Sequence, residues 1–107
     1  MTDCIFCKII EGTVPSKKIY EDEDMIAFND IHPAAPVHVL IVPKKHITNL
    51  DGSRDEDLEL LGKIQRVAAK LAKELKINDA FKVHTVNGEK AGQTIFHLHY
   101  HLQGGYK

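Results

Sequence analysis

Apolar residues recur along this chain at two different periods, and each change of period marks an element. "SKKIYED" and "MIAFND" are short runs with strand character, and the acidic "EDED" (21–24) between them reads as a turn. "VHVLIVP" is almost continuously apolar, as expected of a central strand buried on both faces, with His38 as its exception. The period then lengthens. Leu58, Leu61, Ile64, Ala68, Leu71 and Leu75 recur at steps of three and four. This predicts an amphipathic helix of about five turns with Lys and Arg on its wet side. "SRDE" at Ser53–Glu56 has the form of a capping box ahead of it, and Asn78 is suited to end it in a left-handed conformation. "AFKVHTVN" and "IFHLHYHL" return to strand patterning, separated by the polar glycine loop "GEKAGQT". At the start, "CIFCKII" predicts one or two helical turns, stopped by Gly12 and Pro15. "HPAAP" carries two prolines that oppose helix and require an ordered, extended loop.

Strands on both sides of one long helix, mostly joined by short turns, predict an α+β fold. The expected form is an antiparallel sheet of about five strands with the long helix on one face and a short N-terminal helix. At 107 residues the chain has room for one domain with a real core, taken as residues 1–107.

The last strand carries the chemistry. His97, His99 and His101 alternate with Phe96, Leu98, Tyr100 and Leu102. Side chains of a strand alternate between faces, so the apolar set is expected under the long helix and the three imidazoles together on the other face. Along that face neighbouring histidines would lie about 6–7 Å apart. An ordinary wet face is one explanation, but three histidines in register with no Lys, Thr or Glu among them make it the weakest. Two others remain open. The imidazoles could ligate one metal. Alternatively one serves as nucleophile or general base while others hold anionic oxygen, since imidazole titrates near pH ~6.5. The preceding loop, with two glycines, Gln93 and Thr94, lets backbone N–H groups approach an anion and favours phosphate.

Charge narrows the partners. The formal net charge is −1, so there is no basic surplus to gather counterions from a nucleic-acid backbone. No apolar run reaches the roughly 20 residues of a membrane helix. The start has no basic segment followed by a long apolar one, so no secretory signal is expected and the default location is the cytoplasm. Two cysteines, Cys4 and Cys7, form a C-x-x-C pair. In that compartment they are free thiols, a redox pair or half of a metal site.

"HLHYHLQ" resembles the histidine triad motif, His-φ-His-φ-His-φ-φ with φ apolar. "AGQT" before it, "FNDIHPAAPVHVLIVPKKHI" in the middle and "CIFCKII" at the start are also similar to that family, so the resemblance spans nearly the whole chain. One departure is Gln103, where the motif has an apolar residue. The resemblance is to the Hint-like branch, the histidine triad nucleotide-binding proteins, in a bacterial-type form. It implies hydrolysis of purine nucleoside 5′-phosphoramidates or related nucleotidyl compounds, with no metal in the chemical step. His99 would attack the α-phosphorus and form a covalent nucleotidyl-histidine, which water then hydrolyses. His101 would contact phosphate or leaving group, His38 would orient the triad, and His97 completes the implied catalytic set. The resemblance places Phe6, Ile9, Phe28 and Ile31 around the base, Asp30 at the ribose hydroxyls, and Asn87, Gly92, Gln93 and Thr94 near phosphate or sugar. It implies a structural zinc on Cys4, Cys7, His46 and His97, and a homodimer. Two alternatives stand beside it: a dinucleoside polyphosphate hydrolase, and a non-catalytic nucleotide-binding interaction protein. His32 and His84 receive no role.

Overall fold

A computed structural model describes residues 4–107; the first three residues of the expected domain lie outside it. Helix α1 (Ile5–Glu11) is followed by strands β1 (Lys18–Glu21), β2 (Met25–Asn29) and β3 (Val37–Pro43), helix α2 (Leu58–Glu74), and strands β4 (Phe81–His84) and β5 (Tyr100–Gly104). The five strands form one sheet in the order β1-β2-β3-β5-β4, and every pairing is antiparallel. This is the expected α+β architecture. β3 is its central strand, buried from His38 to Pro43, because its nearly unbroken apolar run can be satisfied only with cover on both faces.

Alternation divides the sheet into two unlike faces. Met25, Ala27, Val39, Ile41, Tyr100 and Leu102 pack against Ile64, Val67, Ala68, Leu71 and Ala72 of α2. On the opposite face Ile26, Phe28, Leu40 and Val42 pack with Phe6 of α1. α2 covers three turns or more of apolar surface, whereas α1 contributes seven residues and leaves the rest of its face open.

Several local expectations are corrected. The cap of α2 is one residue later than expected. Asp57, not Glu56, reaches back to the Arg54 N–H at 2.9 Å, while the Ser53 hydroxyl donates to Leu50 O at 2.6 Å. Glu56 instead meets Lys45 at 2.9 Å. A 3₁₀ turn at Asp55–Asp57 tightens the helix entry and shifts the register of the cap. Leu58 consequently projects outward, 75% exposed. At the other end the left-handed residue is Lys76 (φ 62°), not Asn78. Ile77 N–H bonds Ala72 O at 2.9 Å and Lys76 N–H bonds Lys73 O at 3.1 Å, the two bonds of a Schellman ending. That reversal folds Ile77 into the core and over Gly104, where a Cβ would lie 2.7 Å from Ile77 Cδ1.

The last strand is shorter than expected. Residues 95–97 are bent, 98–99 are also outside the ladder, and β5 begins only at Tyr100. Phe96, expected under α2, is 47% exposed, while Leu98, Tyr100 and Leu102 do join the core of that face. The bend follows from where backbone bonds go: Leu98 N–H donates to Ile47 O at 2.6 Å, a loop partner rather than a strand.

Candidate active site and metal centre

The three histidines of the bent segment and β5 stay on the face opposite α2, but each finds a different environment. His97 is fully buried. Its Nε2–H donates to Pro43 O at 2.8 Å, which leaves Nδ1 as a lone pair. That atom lies 3.3 Å from Cys4 Sγ and 3.6 Å from Cys7 Sγ, and His46 Nδ1 lies 3.2 Å from Cys7 Sγ. The donor atoms of Cys4, Cys7, His46 and His97 all lie within 4.8 Å of one another. A tetrahedral zinc with bonds of about 2.0–2.3 Å separates its ligands by about 3.3–3.8 Å, so the set fits a metal of that size. The backbone bond from His97 Nε2 is the outer-shell contact that selects the ligating tautomer. Burial, then the Cys4 sulfur beside it, pushes the Cys7 thiol up to about 11, so a thiolate there requires a compensating cation. The C-x-x-C spacing brings its two sulfurs together because Cys4 is the N-cap of α1 and accepts from Cys7 N–H at 3.3 Å. Four protein donors leave no open position, so a metal held here is structural.

His99 sits two residues on, 8% exposed, with Phe6 edge-on at 5.0 Å. Its Nδ1–H donates to His97 O at 2.7 Å. In the neutral ring the lone pair is therefore on Nε2. His101 completes the row, its ring 5.2 Å from that of His99. A chain of hydrogen bonds fixes its tautomer. Ala34 N–H donates to His38 Nδ1 at 2.9 Å, so the His38 proton is on Nε2, which meets His101 Nδ1 at 2.9 Å. His101 then carries its own proton on Nε2. Asp30 Oδ2, 3.4 Å from His38 Nε2, faces the same junction, as does the Gln103 amide at 3.3 Å. Burial, followed by the neighbouring His99, His84 and His38, lowers the His101 pKa to about 4, so the ring is neutral near pH 7. The buried exception in the apolar β3 run is thus a polar residue with both nitrogens bonded.

His99 and His101 line a cleft of about 610 Å³ bounded by α1, β2 and the 14–17 segment. Phe6, Ile9, Phe28, Asp30, Ile31 and Thr94 of the expected set also line it, with Ile31 at its open rim, 86% exposed. Phe6 and Phe28 meet edge to face at 5.6 Å. Asp30 also accepts from His32 N–H at 2.9 Å, which holds the turn after β2. Asn87, Gly92 and Gln93 are placed elsewhere. Asn87 Oδ1 accepts from Leu50 N–H at 2.6 Å. Gly92, at φ 107°, closes the turn after Glu89–Ala91. Gln93 is buried, and its amide is saturated. It donates to Thr48 O and Ile95 O at 2.8 and 3.0 Å and accepts from Asn49 and Gly88 at 3.0 and 2.8 Å. With two donors and two acceptor sites all used, Gln93 bolts the loop beneath Thr94 rather than facing a ligand.

Sequence reasoning missed other walls of the cleft: Ile5, Val14, Pro15, Leu40, Ile95 and His32. Leu40 was readable, since it shares a face with His38 two residues before it. Val14 and Pro15 carry no periodic signal.

A five-stranded antiparallel sheet with one long helix behind it and a row of three histidines, two of them lining a cleft, defines the histidine triad class of domain. Comparison agrees. The family model described as "Scavenger mRNA decapping enzyme C-term binding" matches residues 3–106. A HIT family hydrolase from Clostridium thermocellum is 48% identical with a TM-score of 0.96, covering 100% of this chain and 94% of that one. A histidine triad protein from Clostridium difficile is 44% identical with a TM-score of 0.96 at the same coverage. Protein HitA of Neisseria gonorrhoeae is 42% identical over 104 residues, 97% of either chain. The chain belongs to the histidine triad (HIT) family. Among the described residues no helix is long and apolar enough to cross a membrane.

Proposed function

We propose that this chain is a nucleotidyl hydrolase that cleaves purine nucleoside 5′-phosphoramidates through a covalent intermediate on His99. One observation carries the reading: His99 holds its Nδ1 proton on the His97 carbonyl and so presents an Nε2 lone pair in a largely apolar cleft. Two named hydrolases among the structural neighbours support hydrolytic chemistry. The cleft volume falls within the ~300–1,000 Å³ of small-molecule sites.

His99 Nε2 attacks the α-phosphorus, a P–N bond to the imidazole forms, and the bond from phosphorus to the leaving amine breaks. The amine takes a proton from solvent as it departs. Water then attacks phosphorus, the bond to His99 breaks, the nucleoside monophosphate leaves and the water proton returns to solvent. A neutral nucleophile avoids the repulsion an anion would meet at an anionic phosphoryl centre, and the covalent state divides one hard step into two. His101 donates Nε2–H to a phosphoryl oxygen, and His38 holds His101 in the tautomer that can do so. Phe6, Phe28, Ile9 and Ile31 sandwich the base, and Asp30 accepts from the ribose.

Zinc on Cys4, Cys7, His46 and His97 ties α1 to the loop before α2 and fixes the carbonyl of His97 that orients His99. The working form is a cytoplasmic homodimer of one domain per chain.

The test is turnover of adenosine 5′-phosphoramidate, an adenylated lysine and diadenosine polyphosphates, alongside His99→Ala. Release of AMP from the first two by the wild type alone is expected. Equal turnover by the variant removes the nucleophile. Preference for the dinucleotides indicates the polyphosphate hydrolase, and tight AMP binding without turnover indicates a binding module. Metal analysis of protein purified without chelator is expected to give about one zinc per chain; a ratio near zero excludes the zinc assignment.

A further inference from the structure

His84 ends β4, the edge strand of the sheet, and pairs across the ladder with His101. The two rings are stacked, 4.7 Å between centroids and 6° from parallel. This contact differs in kind from the others that His101 makes. His38 holds Nδ1 through a hydrogen bond, and its ring is tilted by 48°. His99 approaches at 57°. One hydrogen bond fixes where Nδ1 sits but lets the ring swing about that bond. A flat neighbour against its face removes the swing.

The place in the sheet gives the contact weight. Among the described residues β4 is the edge of the sheet, and the outer face of His101 is covered by His84. The groups facing His101 come from four elements: His38 on β3, His99 before β5, His84 on β4 and Asp30 after β2, with Lys82 on the same side of the edge strand as His84.

We infer that His84 is a positioning residue: its ring covers the outer face of His101 and holds the plane in which His101 Nε2–H meets a phosphoryl oxygen. The inference rests on the reading of His101 as the phosphate donor. The requirement is for a flat, apolar-faced cover, so an aromatic ring without a titratable nitrogen substitutes for it. An alanine opens the face of His101 to water, frees the ring and restores part of the hydration that burial removes from its charged form.

The test compares wild type, His84→Ala and His84→Phe in the full chain. In the absence of substrate, ¹⁵N-resolved NMR titration of the His101 ring is expected to show His84→Ala raising the midpoint by about one pH unit, with His84→Phe close to wild type. With adenosine 5′-phosphoramidate, His84→Ala is expected to lower kcat about tenfold while KM stays within about twofold, and His84→Phe to recover most of kcat. An alanine variant that matches wild type in both midpoint and kcat overturns the inference. So does a phenylalanine variant as impaired as the alanine one. If the wild-type protein does not turn over the phosphoramidate, the proposed activity fails, and the NMR midpoints still decide whether His84 shields His101.

Discussion

The two faces of the sheet are built from the same strands and obey opposite rules. Toward α2, alternation sends inward Met25, Ala27, Val39, Ile41, Tyr100 and Leu102, and these pack beneath the helix with no polar side chain among them. Toward α1, the same alternation delivers Ile26, Phe28, Leu40 and then His38, His101 and Gln103, and the cover stops short. The closed face gains free energy from burial. The open face surrenders some of it, keeping polar groups in place through saturated hydrogen bonds and leaving a cleft. Stability and chemistry are therefore separable by face, and that separation can be attacked.

The largest expected effect is on the open face. His99→Ala should lower turnover by at least about 10³-fold, equivalent to about 4 kcal/mol of transition-state stabilisation. Its unfolding free energy should move by less than about 1.5 kcal/mol, because the ring has one edge on a cleft rather than a packed core. Coupled loss of both would break the separation.

On the closed face the signs reverse. Leu71→Ala removes a side chain that is 2% exposed in the helix–sheet interface. Denaturant unfolding should show a loss of about 3 kcal/mol, with kcat of the remaining folded protein within about twofold. A large kcat change at constant fold would show that the two faces communicate.

Gln93 sharpens the comparison because it is structural but lies beneath the cleft. Gln93→Leu keeps the volume and strands the Thr48 and Ile95 carbonyls and the Asn49 and Gly88 donors. A destabilisation of about 2 kcal/mol is expected, with kcat reduced more than KM is raised. A pure KM effect would instead favour direct contact with the phosphate.

The smallest effect is on acidification. His101 has a folded pKa of about 4 against about 6.5 for a free imidazole, so between these values the unfolded chain binds more protons than the folded one. Stability is full above pH 6.5 and declines as pH falls toward 4. The contribution is on the order of 1 kcal/mol at pH 5, given partial solvent screening of the ring. Urea unfolding at pH 7 and pH 5, with His101→Asn as reference, should show a smaller difference in the variant, the remainder belonging to His84 and His97, whose burial also lowers their pKa.

Legibility in the sequence followed the range of the forces. β3 and α2 were readable because an unbroken apolar run and a helical apolar period extend over seven and seventeen residues. The cap of α2, its left-handed end and the start of β5 were misplaced. Each depends on a single backbone bond whose partner is set by the surrounding loop, as with Leu98 and Ile47 or Arg54 and Asp57. For the site, the triad, His38, Asp30 and the aromatic walls were legible from motif and alternation. The role of Gln93 was not, because saturation of its amide depends on four partners, two of them, Thr48 and Asn49, from a loop distant in sequence.

By itself, then, the sequence determined the α+β class, the two-faced sheet and the residue types available for chemistry: alternation and helical spacing are local, and each strand carries them alone. Only the tertiary structure decided what each imidazole does. His97, His99 and His101 are interchangeable in pattern, but a Pro43 carbonyl and the Nε2–H of His38 leave the proton on Nε2 of His97 and His101, while the His97 carbonyl holds it on Nδ1 of His99. Those partners lie at whatever sequence distance the fold brings together, and a neutral imidazole has no role until one of its nitrogens has been bonded.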